Sequence, residues 1–175
     1  NLLAAAAPGS AAEPVRYIGG ESVDATHEGG LRWAVGVKSW QAYRANRAYP
    51  EQADGLGWTY NHAPMLAYWR GRFHLEYLSG PMHENKGPIH NLLLTSSDGI
   101  DWDRPREVFP FYRMPDGTAA QMHQRMGFHV APDGRLLVLG FYGVPTRPND
   151  GRGIGRVVRE VRADGAFGPV YFERY

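Results

Sequence analysis

The chain has 175 residues, enough for one domain, and a formal net charge of +1 with its histidines neutral. No basic stripe or block of like charge stands out, which argues against nucleic acid and against an acidic membrane surface as the main partner. Cysteine is absent, so disulfides and a thiol nucleophile are excluded, and 22 glycines with 13 prolines favour short strands and tight turns over a helical bundle.

The first segment, NLLAAAAPGSAAEP, has the composition of the end of a secretion signal. Leu2–Ala7 would close its apolar part, and Ser10, Ala11 and Ala12 are small residues of the kind that a signal peptidase requires. We therefore expect residues 1–12 to be a signal-peptide remnant, with a disordered leader as the alternative, and the protein to be secreted or periplasmic. No later stretch reaches the apolar length of a membrane span.

The following segment, Leu31–Arg47, alternates around Trp33, Val35 and Val37, which predicts a strand. A loop containing Gly55 and Gly57 comes after it. The N-terminal third thus differs from the remainder of the chain, which is organised as a repeat.

Two segments repeat each other, YWRGRFHLEYLSG at 68–80 and VAPDGRLLVLGFYG at 130–143. Each reads as a strand, a glycine turn followed by arginine, and a second strand that ends in glycine; a third strand and an Asp-Gly turn follow. The turn glycines, Gly71 and Gly134, are 63 residues apart. Antiparallel units that recur at roughly 40–60 residues are typical of β-propeller blades. We expect an all-β partial propeller over 13–175, with blade-like units at about 62–112 and 123–175.

The segment SSDGIDW, Ser96–Trp102, is close to the Asp-box found in sialidase-type propeller blades. Asp98 can cap backbone amides of the turn, Gly99 supplies a positive φ, and Trp102 packs between blades. This reading makes the box architectural rather than catalytic. Propellers close with at least about four blades, so we expect the chain to be the N-terminal portion, two to three blades, of a larger propeller.

Three stretches carry a resemblance to a known family: WTYNHAPMLAYWRGRFHLEYLSGP, MHQRMGF, and the final GRGIGRVVREVRADGAFGPVYFERY. From Arg16 to Tyr175 the chain resembles secreted propeller enzymes that act on terminal L-rhamnose linked α-1,4 to D-glucuronate. The group includes rhamnose–glucuronate lyases and related α-L-rhamnosidases. The resemblance implies a seven-bladed, sialidase-like propeller whose active site lies in the central funnel and whose substrate is a polysaccharide or oligosaccharide.

A lyase acting on this linkage must neutralise the uronate carboxylate, remove the C5 proton and protonate the leaving oxygen, and it needs no redox cofactor. The resemblance makes His62 the catalytic histidine; a buried histidine that ties a loop to a strand is the alternative. Arg125 lies 63 residues after His62, the offset of the turn glycines, so we expect the two at equivalent positions before the innermost strands of neighbouring blades. A guanidinium suits carboxylate recognition, although an inter-blade salt bridge is equally consistent. Tyr112, in an inter-blade loop, matches a family tyrosine near the reaction centre, or packs on a rim.

Further residues are predicted to contact substrate. Asn61 and Tyr60 flank His62, and His123 lies two residues before Arg125. The N-terminal loop offers basic and amide groups, and two aromatic residues offer stacking surfaces; these are Arg44, Asn46, Arg47, Trp58 and Tyr142.

No metal site is predicted, because HExxH is absent and the histidines of PMHENKGPIHN read as part of a solvated loop. A structural cation in the funnel stays open. GRGIGR lacks the GxGxxG spacing of a nucleotide site, and GxSxG is absent.

The function that the resemblance implies is that of a polysaccharide lyase, which releases terminal L-rhamnose from D-glucuronate by β-elimination. The first rival function is glycoside hydrolysis, which ordinarily uses two carboxylates facing the bond. Glu76 and Asp101 are expected on a middle strand and in an outer turn, so neither forms such a pair at the funnel. The second rival is a sugar-binding propeller without catalysis, in which loss of His62 would change affinity only modestly.

Overall fold

A computed structural model describes residues 36–145, 147 and 152–173, with the exception of the Arg125 side chain. The predicted leader and most of the predicted strand around Trp33 lie outside the described residues. The pattern of contacts between residues divides the chain into two compact units, Asn1–Ser39 and Trp40–Tyr175. No helix among the described residues is long and apolar enough to cross a membrane.

The second unit is built from two antiparallel sheets in which every strand pairs with its neighbour in sequence. A single turn of 3₁₀ helix at Pro50–Gln52 is the helical element of the described ranges. The first sheet contains β1 (Tyr60–Trp69), β2 (Arg72–Gly80), β3 (His90–Ser96) and β4 (Arg106–Phe109). The second contains β5 (Tyr112–Arg113), β6 (Ala119–Val130), β7 (Leu136–Gly143), β8 (Gly153–Val161) and β9 (Tyr171–Phe172).

Local sequence explains the tight connections. Arg70 and Gly71 both have positive φ, 48° and 77°, which gives the type I′ turn whose twist matches that of the flanking strands. In the Asp-box, Asp98 Oδ1 accepts hydrogen bonds from the backbone N–H groups of Ile100 and Asp101 at 2.8 and 2.9 Å. Trp102 Nε1 donates to the carbonyl of Gly99 at 3.1 Å, and its ring packs beside the sheet. The architectural reading of the box is therefore confirmed.

The core lies between the two sheets. Alternate side chains of the first sheet, among them Leu78 and Leu93, are fully buried against Met122, Val138 and Val157 of the second. Each such side chain contributes about 1.5–3 kcal/mol through burial. The two sheets thus pack face to face as adjacent blades do, and the predicted all-β partial propeller is confirmed.

The two ends of the strands differ in character. One end, which we call the rim, is formed by the beginnings of β1 and β6 together with the β2–β3 loop, Pro81–Ile89. The opposite edge carries the β1–β2 turn, the Asp-box and the Arg162–Gly165 turn. Strand registers place His62 at the rim, opposite Leu78 near the end of β2.

Candidate functional site

Strands β1 and β6 are each interrupted by a bulge just inside the rim. In β1 the register shifts between His62 and Met65, where Ala63 takes a positive φ of 50° and Pro64 follows. In β6 the register shifts between His123 and Gly127. Bulges of this kind bend a strand and re-aim the side chains beside it, and they are frequent next to active sites.

The register corrects the predicted equivalence of His62 and Arg125. His62 is paired with Leu78, and the residue 63 positions after Leu78 is Phe141, which is paired with His123. His123 is therefore the positional counterpart of His62. Two shifts of one residue each separate the counterparts from the 63-residue count. Met65 and Gly127, which follow the bulges, are 62 positions apart, and the β6 bulge holds three residues where the β1 bulge holds two, so the count of 63 reached Arg125 instead of His123. Both residues also lie within their strands rather than before them. The Arg125 side chain lies outside the described residues, and its carboxylate-binding role stays a prediction.

His62 belongs to a cluster of four polar side chains from both blades. Its Nε2 lies 3.0 Å from Nε2 of Gln124 on β6, and the same Gln124 nitrogen lies 3.0 Å from Oε2 of Glu84. The Tyr60 ring lies 5.7 Å from the His62 ring, and its phenol is close to the Glu84 carboxylate. Burial and the negative charge of Glu84 raise the pKa of Tyr60.

The amide of Gln124 determines the hydrogen-bond pattern of this cluster. A carboxylate can only accept, so the side of the amide facing Glu84 is the NH₂ group. Its two hydrogens serve Glu84 Oε2 and His62 Nε2, which makes His62 Nε2 an acceptor and places the proton of the neutral ring on Nδ1. Gln124 thus couples the carboxylate of one blade loop to the imidazole of β1.

The β2–β3 loop that carries Glu84 is fixed to β6. Gln121, 1% exposed, donates through Nε2 to the Glu84 carbonyl at 3.4 Å, and Met122 N–H donates to the Ile89 carbonyl at 3.3 Å. A Cβ on Gly87 would lie 2.1 Å from Gln121 Oε1, so the close approach requires glycine. Most of this loop is exposed, as the sequence reading expected, but Glu84 is half-buried and contacts Gln124 of the neighbouring blade.

Two predicted site residues lie away from the cluster. His123 is only 6% exposed, and burial lowers its pKa although it bonds to the backbone of Val144. Tyr112 lies on β5 rather than in a loop, is 44% exposed and has its ring 6.1 Å from Tyr142. Tyr142 itself is buried with its hydroxyl donating to the carbonyl of Pro110, so it presents no face for a sugar.

The remaining predicted contacts divide between the two edges. Arg47 lies at the rim, where it donates to Thr59 Oγ1 at 2.7 Å and to the Pro81 carbonyl at 3.4 Å. Asn61 is exposed beside His62. Arg44 lines a depression of about 370 Å³ with Arg104 of the β3–β4 connection.

Asn46 and Trp58 have local structural roles. The Asn46 side chain accepts from the backbone N–H of Tyr49 at 2.8 Å. The Trp58 ring meets His90 edge to face at 4.8 Å. Neither contact connects its residue to the four-residue cluster.

A family model for BT_1020-like proteins, described as their N-terminal beta propeller, matches residues 13–175. The chain belongs to this propeller family. Among solved structures, one named "Sialidase" is 48% identical, with a TM-score of 0.71 over 78% of this chain. The propeller chain spans only 14% of that protein.

Two further structures show weaker similarity. A xylan β-1,4-xylosidase from Bacillus halodurans C-125 is 22% identical with a TM-score of 0.46, over 64% of this chain and 20% of its own. An endo-1,4-β-xylanase from Bacteroides thetaiotaomicron VPI-5482 is 15% identical with a TM-score of 0.44, over 66% of this chain and 40% of its own. Among curated proteins, none matches the chain. Membership of the rhamnose–glucuronate lyase group stays a prediction.

Metal ligands are not grouped in the described part of this propeller. No set of three or more histidine, aspartate or glutamate side chains in that part is arranged to hold a metal ion. The cluster at the rim therefore offers proton donors and acceptors, namely a phenol, an imidazole and a carboxylate.

Proposed function

We propose that this propeller provides one wall of a carbohydrate-cleaving site, and that the bond cleaved is the glycosidic bond of an acidic sugar. The observation that carries the proposal is the Tyr60–Glu84 pair, a phenol close to a carboxylate at the rim and adjoining His62. The 48% identity to a structure named "Sialidase" supports it. A secreted or periplasmic location is part of the same proposal, since polysaccharides are met there.

The pair supports hydrolysis through a tyrosine nucleophile, the route by which sialidases depart from the usual two carboxylates. Because the pKa of Tyr60 is raised, the phenol keeps its proton until Glu84 removes it. The Tyr60 oxygen would then attack the anomeric carbon, the bond from that carbon to the leaving oxygen would break, and the leaving oxygen would take a proton from a water molecule. The resulting hydroxide would later attack the glycosyl–tyrosine bond, and the phenolate released would take back the proton held on Glu84.

A second candidate is β-elimination that releases terminal L-rhamnose from D-glucuronate. The exposed imidazole of His62 favours it, because a histidine near neutrality can take the C5 proton while a phenol donates to the leaving oxygen. Glu84 is also the one carboxylate in the described cluster, which suits a site that does not need an acid pair. Under this candidate Arg125 is the expected partner of the uronate.

The deciding experiment supplies the full-length protein with an aryl sialoside and, separately, with a rhamnose-capped glucuronate oligosaccharide. Free sugar acid, free rhamnose and the ultraviolet absorbance of a C4=C5 double bond are followed in wild type, Tyr60→Phe and Glu84→Gln. The matched control is Tyr171→Phe, an exposed tyrosine on β9.

Sugar acid released without absorbance, and reduced about 10²–10⁴-fold in both rim variants but not in the control, is the expected result. Rhamnose released with absorbance would replace hydrolysis by the lyase. Sugar binding without any product would leave a non-catalytic propeller and overturn both.

A further inference from the structure

A cavity lined by several arginines lies at the edge opposite the rim. It has a volume of about 670 Å³ and is bounded by the β1–β2 turn, the β3–β4 connection and the Arg162–Gly165 turn. Along β1, eight residues at roughly 3.3 Å each separate His62 from Arg70, so the cavity is about 25 Å from the Tyr60–Glu84 pair. No residue of the proposed catalytic cluster lines it.

Positive charge dominates the walls of this cavity. Five arginines and two aspartates line it: Arg70, Arg72, Arg104, Arg106, Arg162, Asp103 and Asp164. Among these, Arg72 forms an ion pair with Asp103 at 2.7 Å. No ion pair is found within the described ranges for the other four guanidinium groups.

Some of these guanidinium groups are held in place. Arg106 donates to the Gly165 carbonyl at 2.8 Å and lies 4.9 Å from the centre of the Phe167 ring. Arg104 donates through Nε to the Ala53 carbonyl at 2.9 Å, which leaves its terminal nitrogens for another acceptor. Guanidiniums fixed in this way lose little side-chain entropy when an anion binds.

A buried imidazole also borders the cavity. His74 is 5% exposed, and neither ring nitrogen has a hydrogen-bond partner of standard geometry among the described residues. Burial and the charges of Arg72 and Arg106 lower the pKa of His74, so the ring is neutral at pH 7 and does not add to the repulsion. A neutral imidazole keeps one donor for a ligand oxygen.

We propose that this arginine-lined cavity is an accessory binding site for a carboxylate-bearing oligosaccharide. Planar guanidinium groups match carboxylates, and the volume is that of a small-ligand pocket. The choice of a carboxylated glycan rests on the proposed function, whereas the anion site rests on the arginines alone. A site 25 Å or so from the rim would hold a long acidic polysaccharide while a different part of it is cleaved.

The test measures binding of trigalacturonate to the full-length protein by isothermal titration calorimetry at low salt. The main variant is R70A/R162A, because neither guanidinium is seen to donate to a backbone carbonyl within the described ranges, and Arg70 instead lies 4.8 Å from the centre of the Trp69 ring. Its matched control is R135A, whose arginine lies on the same edge in an ion pair with Asp133 outside the cavity. Maltotriose is the neutral probe, and inorganic phosphate tests charge alone.

Affinity for trigalacturonate should fall tenfold or more in R70A/R162A, on the order expected for charged hydrogen bonds, and stay within about twofold in R135A. R70K/R162K should recover part of it, which shows that the loss is not misfolding. Raised salt should weaken binding. Equal affinity in wild type and R70A/R162A, equal binding of maltotriose, or phosphate binding as tight as trigalacturonate would each overturn the proposal.

Repeating the titration in Tyr60→Phe separates the two sites. Unchanged affinity is expected, and a loss there would assign the ligand to the rim and overturn the accessory site. Binding at the cavity with no cleavage of any substrate would refute the proposed function and leave this site standing.

Discussion

The carboxyl group of Glu76 provides the most quantitative prediction from the structure. Glu76 is completely buried between the sheets, where it accepts a hydrogen bond from Asn91 Nδ2 and contacts the backbone of Gly127, the residue that ends the β6 bulge. Burial raises its pKa from 4.5 to about 9 in spite of these contacts, and its Oε2 has no hydrogen-bond partner of standard geometry among the described residues. The folded protein therefore keeps Glu76 protonated at neutral pH.

This shift makes the stability of the propeller depend on pH. Below pH 4.5 the carboxyl is protonated in the folded and the unfolded chain, and its favourable contribution is fully present. Between pH 4.5 and about 9 the unfolded chain releases the proton and the folded chain does not, so stability falls by about 1.4 kcal/mol per pH unit. At pH 7, which is 2.5 units above 4.5, the loss is about 3 kcal/mol.

Replacing Glu76 by glutamine should remove this loss. Glutamine has the shape of the protonated acid and the same pattern of one acceptor oxygen and one donor, so it can still accept from Asn91. Glu76→Gln should stabilise the protein by about 3 kcal/mol at pH 7 and by little at pH 4.5. The control is Glu51→Gln, an exposed glutamate of the 3₁₀ turn, with an expected change below about 0.5 kcal/mol.

The assay is urea unfolding from pH 4.5 to 9, read by pulsed hydrogen exchange of peptides from β2 and β3 so that the signal reports on these strands. The difference between Glu76→Gln and wild type should grow with pH. A difference that does not vary with pH, or a wild-type slope that persists in the variant, would refute the assignment of a protonated Glu76.

The other predictions concern backbone strain, the rim and the Asp-box. Gly153→Ala should lower the free energy of unfolding by about 3 kcal/mol or more, because the φ of Gly153 is 108° and a Cβ there would lie 2.8 Å from two backbone atoms. Gly134→Ala, at φ 81° and with no atom within 4 Å of the added Cβ, should lower it by about 1 kcal/mol in the same urea unfolding assay. Gln124→Leu should slow cleavage, because the Gln124 amide contacts both His62 and Glu84, and an unchanged rate would contradict a role for this amide in the site. Asp98→Ala should lower the melting temperature, because it removes the acceptor of two backbone hydrogen bonds. These two backbone amides also hold the pKa of Asp98 below its ordinary value, so the wild-type protein should lose the stability that the Asp98 carboxylate provides as the pH falls through that pKa.

The sequence was sufficient for the fold because the relevant signals are local. A type I′ turn needs Gly71, the Asp-box turn needs Asp98 and Gly99, and each lies within a few residues of the backbone groups that it orders. These local units recur, and a recurring unit that cannot bury its face alone predicts stacked sheets. The prediction of an all-β partial propeller depended on nothing further apart than neighbouring strands.

The site was harder to predict because its contacts cross between blades. Glu84 and Gln124 are 40 residues apart, and only the path of the β2–β3 loop brings them together. A glutamate in a glycine- and proline-containing loop has no local pattern that distinguishes it from a solvated one. The signal that existed was Gly87, a glycine with no turn of positive φ to explain it, which allows the loop to approach Gln121.

The bulges explain why a regular repeat gives an irregular site. Strands β1 and β6 pair with their neighbours in the same way on both sides of the interruption, but the β6 bulge is one residue longer. His62 and His123 both precede their bulges and occupy equivalent register positions, yet His62 is exposed at the rim and His123 is buried. The residues that follow them differ, and Gln124 of the longer bulge contacts His62. The sheets on either side are held by the common core, and the difference in chemistry is confined to the few residues within each bulge. Deleting one residue from the β6 bulge should therefore leave the core intact and abolish the Gln124 contacts, which would separate the contribution of the rim from that of the fold.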